Sequence, residues 1–177
     1  MTQRFLKAFD EVLKHEGGYN NVIGDAGGAT NWGISLALLT QLKMDINKDG
    51  HVDYIDIQKL TKEDAQSIYW NNFWRPFLDI LSEKVAIKMF DTSVNTGNKK
   101  ANIFLQKAVN DNNTSFIGVD GIIGSETLNQ ILKISEDKLL KDYCKEQLKF
   151  YQEIVKNNPN QNKFLKGWTN RANWLPV

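Results

Sequence analysis

Residues 15–35 of this 177-residue chain read HEGGYNNVIGDAGGATNWGIS, and this stretch decides the fold prediction. Before it, apolar residues at helical spacing predict an amphipathic helix over residues 4–15. Gly17 and Gly18 end that helix, because glycine readily adopts the backbone conformations found at helix ends. Turn-forming residues then dominate 19–31, which predicts a compact loop or a small β-hairpin after the helix.

The rest of the chain predicts helices, and the whole therefore predicts an all-α protein. Only three prolines interrupt it, and Thr61 with Asp64 forms a capping pattern. Ser125 is expected to cap a later helix. Apolar periodicity and these signals predict helices over about 35–43, 62–72, 83–95, 99–110, 125–134, 136–156 and 164–174.

Composition excludes several classes of protein. The chain has 22 basic and 21 acidic residues, a net charge of +1, whereas nucleic-acid binding would favour a basic face. No apolar stretch resembles a signal peptide or a membrane span, so we expect synthesis in the cytoplasm and no membrane insertion. Cys144 is the single cysteine, so an intramolecular disulfide is impossible, and we expect a small half-buried helix residue there.

Glu16 is the first candidate for chemistry. It stands at the predicted C-terminal end of a helix, where the helix dipole disfavours a negative charge. A carboxylate there, followed by two glycines, can lean over a groove, and partial desolvation would raise its pKa as a general acid requires. The position also suits an ordinary solvated glutamate, so the placement alone leaves both interpretations open.

Asp25 and Thr30 follow Glu16 closely in sequence. Hydrolysis of a bond between sugars commonly uses one acid that protonates the leaving oxygen and a second carboxylate that attacks or positions water. A hairpin returning beside the helix end would set Asp25 across the groove from Glu16, with Thr30 holding a water. Asp25 equally suits a turn before Gly27, so both interpretations stay open.

Aromatic residues are frequent in the first half of the chain. Tyr and Trp can stack on sugar rings while keeping a polar group toward water, although most aromatics in helical domains are core residues. We predict that Tyr19 lies in the groove beside Glu16, because it directly follows the turn predicted at Gly17 and Gly18. The others are assigned to packing: Trp32, Tyr69, Trp70, Phe73 and Trp74.

The motif over residues 15–35 resembles the signature of glycoside hydrolase family 108, which comprises bacterial and phage N-acetylmuramidases, some described as secretion activators. The family's catalytic glutamate lies in a Glu-Gly-Gly-Tyr motif, which corresponds to Glu16. The family's Asp-x-Gly-Gly-x-Thr run is matched from Asp25 to Thr30. The spacing also resembles the Glu-x8-Asp-x5-Thr triad of phage-type lysozymes, but the last gap here is four residues, so Thr30 fits that pattern least well.

The second half resembles a small helical module named for peptidoglycan binding. The matching motifs are DTSVNTG at 91–97, Leu105-Gln106, VDGIIGSETL at 119–128, and Gly167-Trp168 with Arg171. The resemblance implies a lysozyme-like catalytic domain over 1–95 and a helical peptidoglycan-binding-type module over 96–177 packed against it. From their chemistry alone, Gln106 and Thr127 suit the joining of helices better than substrate contact.

An acidic loop over 45–56 predicts a separate calcium site. Oxygen ligands occupy EF-hand positions 1, 3, 5, 9 and 12, glycine stands at position 6, and His51 would contribute only its backbone carbonyl. Asp replaces the usual Glu at position 12, which predicts weaker binding, and a solvated acidic turn is the alternative. The expected role is structural, with no cofactor needed for catalysis, and the ligands are Asp45, Asn47, Asp49, His51, Asp53 and Asp56.

Taken together, the residues and the resemblance predict a lysozyme that cleaves the β-1,4 bond between N-acetylmuramic acid and N-acetylglucosamine, with Glu16 as general acid. Peptidoglycan glycan strands are the expected partner, nucleic acid is not, and a monomer is expected. An enzyme made without a signal peptide would act in the periplasm or cell wall after release or export, as an endolysin or in secretion. The alternatives are a non-catalytic peptidoglycan-binding adaptor and a lytic transglycosylase.

Overall fold

Helices form most of the chain in the computed structural model, which describes residues 1–15, 30–112 and 116–176. Within these ranges a two-stranded antiparallel hairpin is the only sheet. The predicted all-α class with a small hairpin is therefore confirmed. The chain divides into two compact units, residues 1–72 and 73–177, and the division predicted after residue 95 stays a prediction.

The described part of the first unit contains four helices and the hairpin. The helices are α1 (Gln3–His15), α2 (Leu36–Leu42), α3 (Tyr54–Lys59) and α4 (Lys62–Asn72), and the strands are β1 (Thr30–Asn31) and β2 (Ile34–Ser35). Sequence analysis missed α3, because its short helical segment directly follows the acidic loop and has little apolar periodicity.

Helix α1 buries the apolar stripe that its sequence predicts. Phe5, Ala8, Phe9 and Val12 are fully buried. Two edge-to-face aromatic pairs join α1 to α4: Phe5 with Trp70 at 5.1 Å and Phe9 with Tyr69 at 5.4 Å between ring centroids. The assignment of Tyr69 to packing is consistent with this arrangement. Phe5 and Phe9 thus fix α1 to α4.

Helix α4 begins with the predicted capping pattern. The Thr61 backbone N–H donates to Asp64 Oδ2 at 3.0 Å, and the Asp64 N–H donates to Thr61 Oγ1 at 3.1 Å. These reciprocal bonds satisfy two donors that the first turn of a helix otherwise leaves unpaired. The start of α4 is therefore encoded locally.

The second unit is a helical bundle around one buried helix. Its helices are α5 (Glu83–Thr96), α6 (Asn98–Asn112), α7 (Ser125–Ile131), α8 (Glu136–Asn157) and α9 (Asn162–Asn173), with 3₁₀ turns at Pro76–Asp79 and Pro159–Gln161. Nine successive residues of α5, from 85 to 93, are buried. Helices α6 and α8 pack on α5 and on each other, and α9 packs on α8.

Two boundary predictions in this unit are wrong. Gly124 occupies the N-cap position of α7, and Ser125 is the first helical residue, with no side-chain cap bond at that end. The helix also ends at Ile131 rather than at residue 134. Ser135, one residue before α8, is the N-cap of that next helix. The chain thus needs a short turn between Ile131 and Ser135.

Cys144 lies in α8 and is buried, with 8% of its surface exposed. Burial raises the pKa of its thiol, which disfavours the reactive thiolate. In the described parts of the chain, no helix is long and apolar enough to cross a membrane.

Candidate functional site

The predicted catalytic groups divide between described and undescribed residues. Glu16, Tyr19 and Asp25 lie outside the described residues, so their roles stay predictions. Their segment is bounded by the end of α1 at His15 and by the start of β1 at Thr30. Both of these flanking residues belong to the first unit, and the described residues around Thr30 are considered first.

Thr30 is the described member of the predicted catalytic set. It lies on β1, is exposed, and pairs across the hairpin with Ser35. Trp32 and Gly33 connect the strands with φ values of 54° and 74°. Two successive positive φ values match the tight two-residue turns whose twist suits antiparallel strands. The turn thereby sets the register that leaves Thr30 open to solvent.

Asn31 anchors this hairpin to α3. Its Nδ2 donates to the backbone carbonyls of Ile57 at 3.0 Å and Leu60 at 3.1 Å. The last carbonyls of a helix have no partner within the helix, so one asparagine amide satisfies two of these groups and ties the neighbour of Thr30 to a rigid element. Sequence analysis missed this contact because the bonded residues are 26 and 29 positions apart.

The acidic loop directly precedes and partly forms α3. Its first half winds around Asp45, whose Oδ1 accepts from the N–H groups of Lys48 at 2.6 Å and Asp49 at 3.3 Å. Asp45 Oδ2 accepts from the N–H of Gly50 at 2.8 Å. Gly50 has a φ of 92°, a conformation that glycine adopts without steric cost. The glycine predicted at loop position 6 therefore serves a tight turn.

Asp56 closes the loop from its other end. Its Oδ1 accepts from Ile46 N–H at 2.7 Å and Asn47 N–H at 3.0 Å, and its Oδ2 accepts from Asp53 N–H at 2.8 Å. The residue is fully buried. Burial alone would raise the pKa of this carboxyl, but the three backbone bonds and the charge of Lys59 together hold it below its ordinary value. Asp56 is thus kept ionised inside the loop.

The middle of the loop is joined by bonds between neighbouring ligand candidates. Asn47 Nδ2 donates to Asp49 Oδ2 at 2.8 Å, and Asp49 Oδ1 accepts from His51 N–H at 2.9 Å. Asp53 caps α3 by accepting from Ile55 N–H at 2.7 Å.

The loop fits calcium by the chemistry of its donors. Its side chains offer carboxylate and amide oxygens, which are the ligands calcium prefers. In the described residues, no three His, Cys, Asp or Glu side chains are grouped as a ready metal centre. Asp45 Oδ1 and Asp56 Oδ1 each accept two backbone bonds already, whereas Asp45 Oδ2, Asp56 Oδ2 and both oxygens of Asp49 each accept one. Since a carboxylate oxygen can accept about two bonds, the oxygens with one bond can still bind a cation.

The second unit contains a buried charged cluster, formed by Lys88, Asp91 and Arg171. Arg171 donates through Nε to Asp91 Oδ2 at 3.1 Å and through Nη2 to Asp91 Oδ1 at 2.9 Å. Asp91 has no exposed surface, and 14% of the Arg171 side chain is exposed. This two-pronged ion pair joins α5 to α9. It gives a structural reason for two residues of the C-terminal motifs.

Lys88 holds the same end of α9. Its Nζ donates to the backbone carbonyls of Arg171 at 2.7 Å, Ala172 at 3.0 Å and Trp174 at 3.0 Å. The lysine is fully buried, and burial lowers the pKa of its ammonium group. A buried cation at the negative end of a helix dipole is favourably placed. No sequence signal distinguished Lys88 from a surface lysine.

Gln106 joins α6 to the loop before α7. Its Nε2 donates to Asp120 Oδ1 at 2.8 Å and to the carbonyl of Ile122 at 3.0 Å, while its Oε1 accepts from Gly121 N–H at 2.7 Å. With its hydrogen-bonding groups engaged and only 1% of its surface exposed, Gln106 is a structural residue. Residues 120–122 of the motif supply the hydrogen-bond partners of this one amide.

Comparisons with known proteins cover almost the whole chain. The family described as Glycosyl hydrolase 108 matches residues 9–97, and the family described as Predicted Peptidoglycan domain matches residues 100–173. Among solved structures, "Structure of Brucella abortus SagA" is similar, with 32% sequence identity and a TM-score of 0.72. That similarity covers 95% of this chain and 88% of the Brucella abortus chain. Comparison with curated proteins gave no match.

Proposed function

The chain belongs to glycosyl hydrolase family 108, and we propose on that basis that it cleaves the β-1,4 bond between N-acetylmuramic acid and N-acetylglucosamine. The coarser role, a glycoside hydrolase that acts on peptidoglycan, is supported by the two family matches together. The observation that carries the proposal is that the glycosyl hydrolase match, over 9–97, includes the whole Glu16–Thr30 motif.

In the proposed reaction, Glu16 donates its proton to the glycosidic oxygen as the bond from that oxygen to the sugar C1 breaks. The second half of the reaction needs water at C1 and stabilisation of an oxocarbenium-like transition state. The Asp25 carboxylate positions the water and stabilises the positive charge of the transition state. The Thr30 hydroxyl helps to orient the same water. The exposed position of Thr30 on β1 and the anchoring of its neighbour Asn31 support this role.

Analysis of the sugar ends tests the bond and the reaction together. We expect purified peptidoglycan incubated with the protein to release N-acetylmuramic acid at new reducing ends, measured by mass spectrometry after borohydride reduction. A lytic transglycosylase would release 1,6-anhydro ends instead. A non-catalytic adaptor would bind the wall and release neither product, so either of these results would contradict the proposal.

We place the reaction in the periplasm or cell wall, where the substrate is located, and propose that the protein acts as a monomer. Release during lysis and export during secretion are both compatible with such a wall-cleaving enzyme.

We also propose that the loop over 45–56 binds calcium in a structural role. The carboxylates of Asp45, Asp49, Asp53 and Asp56 carry four negative charges in twelve residues, and a cation would relieve their repulsion. Because α3 follows this loop and bonds to Asn31, the ion would also stabilise the support of the hairpin.

Calcium removal is expected to lower the melting temperature. Binding to the folded state alone stabilises by about 2.7 kcal/mol at a hundredfold excess over Kd, which corresponds to a few degrees for a chain of this size. Asp49→Ala should abolish the difference between calcium and chelator, measured by circular dichroism. Asp10→Ala, an exposed carboxylate on α1, is the matched control and should retain it. A melting curve that is unchanged by chelator would identify the loop as an acidic turn.

A further inference from the structure

The C-terminal end of the chain has an unusual composition. After Glu153 no acidic residue follows, so residues 154–177 contain four basic and no acidic side chains. The same segment contains six asparagines and one glutamine. Amide side chains both donate and accept hydrogen bonds, as the hydroxyl and N-acetyl groups of sugars do. The segment therefore combines positive charge with polar groups suited to carbohydrate.

The inner face of α9 is tightly fixed. The Trp168 ring stacks on Tyr151 of α8, with 5.3 Å between centroids and 20° between planes. Tyr151 in turn donates its hydroxyl to Asn95 of α5 at 2.6 Å. With the ion pair of Arg171 and Asp91, these contacts join α9 to two other helices. A helix held in this way presents its other face with little loss of conformational entropy on binding.

The opposite face of α9 forms an open groove of about 410 Å³, lined by Asn162, Leu165, Lys166, Thr169 and Asn170. Asn162, Lys166 and Asn170 are exposed, and Leu165 and Thr169 are half-buried. Counted from Asn162, the other residues lie three, four, seven and eight positions further on, so all of them share one side of the helix over roughly 12 Å. The groove is therefore longer than one sugar ring and contains no acidic group among its lining residues.

We propose that this face of α9 binds the glycan strand of peptidoglycan, which deepens the proposed function and rests on it for the identity of the polymer. Lys166 would pair with a carboxylate of the polymer, on the lactyl group or the stem peptide. The amides of Asn162 and Asn170 suit its N-acetyl and hydroxyl groups, and Leu165 offers an apolar surface to a sugar face. Charge complementarity favours this occupant, because the wall polymer carries carboxylates, whereas residues 154–177 carry basic side chains and no acidic ones.

A binding experiment with a matched control tests the proposal. Purified sacculi are sedimented with the full-length Glu16→Gln chain, so that the wall is not consumed, and bound protein is quantified. Adding Lys166→Ala and Asn170→Ala should weaken binding by at least about thirtyfold, the effect of losing one charged and one neutral hydrogen bond. The control adds Lys138→Ala and Asn129→Ala, which are exposed on other helices and should bind like the parent.

Further measurements test the role of charge in binding and the folding of the variants. Lys166→Glu should weaken binding more than Lys166→Ala, and raising the salt concentration should weaken parental binding. Melting temperatures equal to the parent's show that the α9 variants are folded. Equal binding by parent and α9 variants, equal losses in the control, or the same α9-dependent capture of DNA would each overturn the proposal.

The outcomes also separate this inference from the proposed function. Binding that depends on α9, without any release of sugar ends by the unsubstituted chain, would contradict the proposed reaction and leave the wall-binding face intact. Release of reducing ends together with unchanged binding by the α9 variants would contradict only the face.

Discussion

A Glu16→Gln variant is expected to fold like the parent chain and to lose wall-lytic activity by about 10²–10⁴-fold, the usual contribution of a general acid. The substitution keeps the size of the side chain and removes the proton that the leaving oxygen requires. Activity is measured as clearing of a cell-wall suspension and as release of reducing ends, and folding as the circular dichroism spectrum. Glu11→Gln is the matched control, since it makes the same change on α1, five positions before Glu16 in the sequence, and should retain activity.

A folded Glu16→Gln variant that clears the wall at the parental rate would exclude Glu16 as the acid. Asp25→Asn divides the remaining possibilities, because it should impair the reaction if Asp25 positions water or stabilises the transition state. A parental rate in that variant would favour a mechanism with a single acid. Neither result depends on the proposed calcium site, where chelation should reduce activity only as far as the fold loosens.

The second large effect is expected from Asp91→Ala, which should reduce the free energy of unfolding by about 3–5 kcal/mol. The substitution removes the Asp91 carboxylate from beside the Arg171 guanidinium, whose side chain is only 14% exposed. It also removes a negative charge that favours the buried Lys88 ammonium group. For a chain of this size, such a loss corresponds to a melting temperature lower by roughly 10 °C.

Thermal and denaturant unfolding followed by circular dichroism measure this loss. Asp111→Ala is the control, because Asp111 pairs with Lys145 at 3.1 Å while their side chains are 38% and 53% exposed. Exposed pairs of this kind contribute about 0–1 kcal/mol. If Asp91→Ala cost no more than Asp111→Ala, the buried cluster would not be what holds α9 against α5.

The family match shows that a short motif was enough to predict the family of the chain. Glu16, Asp25 and Thr30 were predicted from one stretch of 21 residues, and the match over 9–97 includes that stretch. Peptidoglycan chemistry follows at the level of the family, whereas the roles of these three side chains stay predictions for the experiments above.

Local sequence patterns determined the helices. The stripe of Phe5, Phe9 and Val12 predicts α1, and the reciprocal bonds of Thr61 and Asp64 begin α4 where their spacing predicts. Helical periodicity and capping involve residues three or four positions apart, so the sequence alone contains the needed information. Short elements such as α3 escaped prediction, because six residues give too little periodicity to recognise.

Only the tertiary structure decided which polar residues support the two units. Asn31 bonds to carbonyls 26 and 29 residues away, and Lys88 bonds to carbonyls 83 to 86 residues away. An asparagine beside a turn and a lysine in a helix look ordinary in sequence. Their importance arises from the backbone carbonyl groups that they bind, since a carbonyl removed from water is costly without a partner. No local spacing encodes such partners, because folding brings them together.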